Sequence, residues 1–233
     1  MQNTHIIIMA GGVGSRFWPF SRTNYPKQFH DVLGTGKTLL QQTISRFEGI
    51  CPIENIYIVT SQEYKDLIQE QVPALSSDQI LLEPHRRNTA ACIAYACYKI
   101  ASKNPDANIL VAPSDHIILN EAAFKETVRT ALQETQDHDI LLTLGIQPSR
   151  PDTGYGYIQY LPGESIVKKV KTFTEKPHLE LAKQFIDSGD FVWNAGIFIW
   201  NVRAFKTALR THLPEMAEIF ETGKYNYFTE SEA

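Results

Sequence analysis

The chain has little of several things that would decide its class at once. Only three of its 233 residues are cysteine: Cys51, Cys92 and Cys97. Three cannot all pair and their spacing fits no metal knuckle, so a disulfide scaffold and a structural zinc site are excluded and reduced thiols are expected. Long apolar runs are missing, and no stretch approaches the roughly 20 residues of a membrane-spanning helix. An excess of basic charge is missing too: 22 Lys and Arg stand against 26 Asp and Glu, a net charge of −4, which argues against a nucleic-acid surface. Internal repeats and low-complexity linkers are absent. The first residues read as a strand rather than a secretion signal, so the cytoplasm is the expected location. What remains, 43% hydrophobic and 21% charged residues, suits one large α/β domain with a substantial core, or one domain and part of another.

The most informative stretch runs from Ile6 to Gln28. Ile6 to Ala10 is apolar without alternation, as in a strand buried on both faces of a parallel sheet. Gly11, Gly12 and Gly14 follow at once. Glycine there lets the backbone turn tightly and leaves its N–H groups bare for a phosphate or a base edge. Arg16, Arg22 and Lys27 add three cations just past the turn. Two familiar phosphate loops do not fit. The dinucleotide fingerprint matches Gly12 and Gly14, but its third glycine would fall on Phe17, and Pro19 and Pro26 deny a clean helix start. A Walker A loop at Gly34-Thr35-Gly36-Lys37-Thr38 needs a glycine where Asp31 stands, and no apolar strand leads into it. Gly34 to Thr38 therefore reads as a turn feeding a helix.

Along the chain, helix and strand alternate through the first 145 residues. Helices are expected at 38–47, 63–71, from Asn88 or Thr89 to 101, and at 121–134 behind an Asn120 cap. Strands are expected at 55–60, 79–82, 108–112 and 139–145. That alternation predicts a doubly wound, mostly parallel sheet. Ligands of such sheets sit beyond the carboxyl ends of the strands. This gathers Gly11 to Lys27, Glu83 to Thr89 and Asp115 into one crevice. After residue 150 the pattern changes: antiparallel strands at 154–160 and 167–173, a helix at 179–187, a strand at 191–200 and two further helices suggest a second lobe closing over the crevice. The expected division is a lobe that carries the crevice, 1–150, and a second lobe, 151–233, within one domain.

The run Gly11-Gly12-x-Gly14-x-Arg16-Phe17-Trp18-Pro19-x-Ser21-Arg22 to Pro26-Lys27-Gln28-Phe29 resembles the signature of the sugar-nucleotide pyrophosphorylases, and its wording is similar to the mannose-1-phosphate guanylyltransferase branch. The resemblance covers nearly all of the chain. It implies a Rossmann-like, GT-A-like nucleotidyltransferase fold with an antiparallel sugar-binding lobe. It also implies transfer of GMP from GTP to mannose 1-phosphate, with Mg²⁺ as cofactor and no covalent intermediate. Ala10, Gly11, Gly12, Gly14, Ser15, Glu83, Asn88, Thr89 and Ser114 are then nucleotide-binding. Glu83 suits guanine, because a carboxylate accepts from both the ring N–H and the exocyclic amine. Where the family often has proline two residues after the threonine, this chain has Ala91. Asp115, ending the strand in Pro113-Ser114-Asp115-His116, becomes the Mg²⁺ ligand. Arg16 is assigned to the departing pyrophosphate and Lys27 to the α-phosphate.

Phe173-x-Glu175-Lys176-Pro177, Trp193-Asn194-Ala195-Gly196 and Thr153-Gly154-Tyr155-Gly156 resemble the sugar-phosphate pocket. On that resemblance Gly154, Tyr155, Glu175, Lys176, Asn194 and Gly196 meet the sugar phosphate, whereas Trp193 and Phe198 read as core. One departure stands out: the family's second metal-binding aspartate, in a motif like Ser-Ile-Asp, is not found, and the chain looks shorter than the full catalytic unit. Three alternatives stay open: another base and sugar with the same chemistry, a non-catalytic nucleotide-sensing module, and a P-loop GTPase using Lys37. No nucleic acid or membrane partner is expected, and the oligomeric state is open, a homodimer being one option.

Overall fold

The computed structural model describes residues 3–14, 17–83 and 88–222, with Asn88 described in its backbone only. Among the described residues, eight strands and seven α-helices follow one another much as the pattern predicts: β1 Thr4–Met9, α1 Leu39–Arg46, β2 Ile56–Ser61, α2 Lys65–Gln71, β3 Ile80–Glu83, α3 Asn88–Lys103, β4 Asn108–Pro113, α4 Glu121–Asp137, β5 Leu142–Ile146, β6 Gly156–Tyr160, β7 Val170–Glu175, α5 Leu179–Ser188, β8 Phe191–Asn201, α6 Val202–His212 and α7 Pro214–Glu221. The fold is mixed α/β with a mostly parallel central sheet, as expected. Among the described residues no helix is long and apolar enough to cross a membrane.

The chain forms two compact units, Met1–Leu141 with Ile199–Ala233, and Leu142–Phe198. The division differs from lobes at 1–150 and 151–233: β8 leaves the second unit after Phe198, so α6 and α7 belong to the first. Sequence order hid this, because nothing in an apolar strand marks where it passes from one unit to the other.

In the first unit, β1 pairs in parallel with β2 on one side and β4 on the other, and β2 pairs in parallel with β3. Ile6, Ile7, Ile8, Ile58, Val59, Leu110 and Val111 are fully buried, which accounts for their unbroken apolar runs. The chain moves outward through β2 and β3, then returns to the far side of β1 with β4. The order therefore reverses between β1 and β4, and in such sheets the crevice outside that reversal is where ligands bind.

Local signals hold the helices in place. Thr38 caps α1 in a reciprocal box, its Oγ1 accepting from the Gln41 N–H at 3.3 Å while Gln41 Oε1 accepts from the Thr38 N–H at 2.9 Å. This is the turn-into-helix reading of Gly34 to Thr38, and Asp31 stitches that turn by accepting from the Thr35 and Gly36 amides. Asn120 caps α4 by accepting from Ala123, as expected. Asn88 and Thr89, expected as caps, instead lie within the first turn of α3.

In the second unit, β6 pairs antiparallel with β7 and with β8. β8 alternates in burial, Phe191, Trp193, Ala195 and Ile197 facing inward. Tyr157, Ala182, Phe191 and Trp193 form one buried cluster against Phe185. Trp193 is thus core, as the sequence reading had it; Phe198 is only half-buried. Cys51, Cys92 and Cys97 are free and buried, and burial pushes each thiol up to about 12.

Candidate nucleotide and sugar-phosphate site

At the carboxyl end of β1 the backbone leaves the sheet at Ala10, whose N–H still donates to Val59 O at 2.8 Å. The glycine loop beyond it is held from behind. Gln28 is 2% exposed, and its Nε2 donates to Ala10 O at 2.9 Å and to Gly12 O at 3.0 Å. Ser21 Oγ donates to Val13 O at 2.8 Å. Engaging these carbonyls fixes how the intervening peptides are turned. Each buried bond of this kind contributes about 1 kcal/mol net. Gly14 has φ +64°, and a Cβ there would stand 3.0 Å from Ser21 Oγ and 3.2 Å from Lys27 Cγ. A side chain at 14 would meet both the strained backbone and the lysine stem.

Lys27, Gln28 and Phe29 form a single 3₁₀ turn after Pro26. With about three residues per turn, successive side chains point about a third of a circle apart. Phe29 goes to the core, 1% exposed; Gln28 goes to the loop carbonyls; Lys27 goes to Asp115, its Nζ 2.9 Å from Oδ2. Lys27 Nζ also sits 5.2 Å from the centre of the Phe17 ring. The Lys27 and Asp115 side chains keep 24% and 30% of their exposure, and a pair that open contributes at most about 1 kcal/mol. Separating the two partners is correspondingly cheap, so a phosphate can take the ammonium and a cation the carboxylate.

Asp115 stands just past the end of β4. Ser114 before it is buried; its N–H donates to Met9 O at 3.1 Å, and its carbonyl accepts from Thr43 Oγ1 at 3.2 Å. His116 after it has its imidazole pKa held below the ordinary value, chiefly by burial, with Lys27 and Arg46 adding to the effect and Asp115 opposing it. Glu83, at the end of β3, brings its Oε2 to 3.6 Å from where a Cβ on Gly11 would lie. Ala10, Gly11, Gly12, Gly14, Lys27, Glu83, Ser114 and Asp115 are therefore gathered at the carboxyl ends of β1, β3 and β4. Thr89 is exposed in the first turn of α3. Ser15 and Arg16, the Asn88 side chain, and residues 84–87 and 223–233 lie outside the described residues.

For a cation, the donor set is one carboxylate: among the described residues no group of three or more His, Cys, Asp or Glu could hold a metal. That suits Mg²⁺, which keeps several waters and is held by one or two carboxylates together with substrate phosphates. The Lys27 ammonium on Oδ2 shows that the carboxylate is turned to receive positive charge.

In the second unit, the strand register sets Glu175 opposite Gly156. A Cβ on Gly156 would lie 2.8 Å from Glu175 Oε2 and 3.6 Å from Asn194 Cβ. A side chain at 156 would have to push that carboxylate aside. Asn194 Oδ1 accepts from Thr143 Oγ1 at 3.1 Å and from the Gly196 N–H at 3.0 Å, so its NH₂ is the group left to donate to a ligand. Gly196 takes φ +66°. Lys176, at φ +43°, places Nζ 2.7 Å from Glu175 Oε1. Tyr155 is exposed, its ring tilted against Trp193 with 5.0 Å between centroids. The Gly154 N–H donates to Asp152 Oδ1 at 2.8 Å, in a turn that Arg150 reinforces through Asp152 Oδ2 at 2.6 Å.

The sequence reading missed the support residues: Gln28 as the brace of the loop, Thr43 and Arg46 beneath Asp115, and Asp152 at Gly154. Each is polar and buried or locally engaged, but only Gln28 lies inside a recognisable motif, and polarity alone does not say what a side chain reaches.

A bare loop, a lysine and a carboxylate meet where the parallel sheet reverses its order. The match to the model described as nucleotidyl transferase, over residues 5–227, gives the chain its family. The chain belongs to the nucleotidyl transferase family. It is 37% identical over 215 residues to a putative mannose-1-phosphate guanylyltransferase of Vibrio cholerae, covering 90% of this chain and 45% of that protein. It is 38% identical over 220 residues to a mannose-1-phosphate guanylyltransferase of Klebsiella pneumoniae, covering 91% and 46%. A crystal structure described as a mannose-1-phosphate geranyltransferase from Thermus thermophilus superposes with a TM-score of 0.87 at 32% identity, over 95% of this chain and 64% of that one. The chain spans about half the length of the curated relatives it matches.

Proposed function

We propose that this chain carries the guanylyl-transfer unit of a mannose-1-phosphate guanylyltransferase, which converts GTP and mannose 1-phosphate into GDP-mannose and pyrophosphate. The observation that carries the reading is the Lys27–Asp115 pair, 2.9 Å apart at the mouth of the braced glycine loop. The names of the curated relatives supply the substrates. The nucleophile, a phosphate oxygen of mannose 1-phosphate, is already anionic, so no general base is needed and catalysis reduces to positioning and charge neutralisation.

In this reading the backbone of Ala10 to Gly14 takes the nucleotide, with Ser15, Asn88, Thr89 and Ser114 around it, and Glu83 accepts from the guanine edge. Lys27 leaves Asp115 to neutralise the α-phosphate as it is attacked. Arg16 holds the pyrophosphate that departs. Asp115 holds Mg²⁺, which when bound supplies charge neutralisation and alignment of the phosphates. In the second unit Glu175 accepts from the sugar hydroxyls and the Asn194 NH₂ donates to them. Lys176 meets the sugar's phosphate, Gly154 and Tyr155 frame the ring, and Gly196 lets the backbone turn beside Asn194. The cytoplasm and a homodimer fit this reading.

The test is pyrophosphate release with four nucleoside triphosphates against mannose 1-phosphate and glucose 1-phosphate. The reading expects GTP with mannose 1-phosphate to lead. Preference for dTTP with glucose 1-phosphate would replace it with another sugar nucleotidyltransferase, and GTP binding without any pyrophosphate release would favour a sensing module.

A further inference from the structure

We propose that Thr43 and Arg46, on one face of α1, are positioning residues that hold the Asp115 carboxylate in place for its cation by gripping the backbone on both sides of it. This rests on reading Asp115 as the cation ligand. β4 ends at Pro113, and the Ser114 N–H bond to Met9 O is the last one the neighbouring strand supplies there. Beyond that point the sheet no longer sets where the chain goes, yet Asp115 is the next residue.

Two side chains take over. Thr43 Oγ1 donates to Ser114 O at 3.2 Å, and Arg46 Nη2 donates to His116 O at 3.2 Å. These are the carbonyls of the residues on either side of Asp115. Residues three apart share a helix face, and both are buried: Thr43 at 0% and Arg46 at 3% exposure. The helix that carries them is fixed at its start by the Thr38 box.

Arg46 is an expensive way to fill space. Burial pushes its guanidinium pKa down, and Glu121 opposes this from 3.5 Å. Phe124 covers the guanidinium at 5.9 Å. The Glu121 side chain keeps 49% of its exposure, and a pair that open offsets little of the cost of burying the guanidinium. A charged donor aimed at one carbonyl is therefore better explained by geometry than by stability. Partners one shell out from a metal set its affinity by orienting the ligand, and losing one costs about ten- to a hundredfold.

The test uses the full chain and Mn²⁺ as probe. Free Mn²⁺ is read by electron paramagnetic resonance at saturating GTP, beside GTP affinity in EDTA and thermal stability. Thr43→Val removes one hydroxyl at constant shape, and Arg46→Met and Arg46→Lys vary the other grip. Thr43→Val and Arg46→Met are expected to weaken Mn²⁺ roughly tenfold with metal-free GTP affinity unchanged, and Arg46→Lys to recover part of the loss. Mn²⁺ affinity unchanged in folded Thr43→Val overturns the proposal, and that variant decides alone if the Arg46 variants do not fold. Asp115→Asn in the same titration separates the two layers. If it leaves Mn²⁺ affinity intact, the ligand assignment fails and the grip falls with it. If Asp115→Asn and Thr43→Val both weaken Mn²⁺ but no nucleotide sugar forms, the grip stands and the functional reading fails.

Discussion

Lys27 and Lys37 make a controlled pair at the residue scale, because each follows a glycine-bearing turn and each was a candidate phosphate lysine. Lys27 reaches Asp115 beneath the loop after β1. Lys37 instead donates to Ser45 Oγ at 3.2 Å on an exposed face of α1. Lys27→Met is expected to lower kcat by about a hundred- to a thousandfold, the usual loss when one charge-neutralising donor is removed from a transition state. Lys37→Ala is expected to leave kcat and KM near their parent values. Steady-state pyrophosphate release measures both, and the reverse pattern would restore the P-loop reading. The candidate site was legible from the sequence because strand, glycine run and following lysine are contiguous. Its supports were not, because Thr43 reaches Ser114 and Arg46 reaches His116 only through contacts some 70 residues apart in the chain.

Among the elements, the regular ones were legible and the joins were not. Apolar periodicity and cap residues announced every strand and helix to within a few residues, and Thr38, Asn120 and Pro214 stand where capping chemistry puts them. The passage of β8 from one unit to the other was invisible, since its inward residues Phe191 to Ile199 alternate without a break. At the end of that strand Asn201 does several jobs. Its Oδ1 caps α6 by accepting from the Ala204 N–H at 2.8 Å. Its Nδ2 donates to Thr135 O at 2.9 Å and to Asp139 Oδ1 at 2.7 Å. Asn201→Ala removes a cap and the donor to the buried Thr135 carbonyl, whereas the exposed Asp139 keeps Arg203, so it is expected to cost about 2 kcal/mol. Thr38→Ala, which loses only the cap of α1, is expected to cost about 1 kcal/mol. Urea unfolding followed by circular dichroism ranks the two, and equal costs would show that the extra Asn201 bonds contribute little.

For the whole molecule, composition spoke mainly by exclusion: it argued against a nucleic-acid surface and a disulfide scaffold but could not show where titrating groups end up. His5, in β1, is 6% exposed, and its burial holds the ring pKa below the ordinary value. The unfolded chain therefore takes up the proton first as pH falls past about 6.5. The contribution of His5 is full above that pH and declines as pH falls toward the folded-state pKa. His116 shifts in the same direction. His5→Phe is thus expected to flatten, but not abolish, the loss of stability between about pH 7 and pH 5, measured as urea midpoints across that range. An unchanged slope would mean that His5 is as accessible to protons folded as unfolded. The central claim reaches further, to the ligand that the loop after β1 and the Lys27–Asp115 pair are arranged to hold. A crystal structure of the chain with GTP and Mg²⁺ tests it most directly. The account predicts phosphates against the amides of Gly11 to Gly14, Lys27 on a phosphate and Asp115 on the metal; a nucleotide bound elsewhere, with the Lys27–Asp115 pair intact, would contradict it.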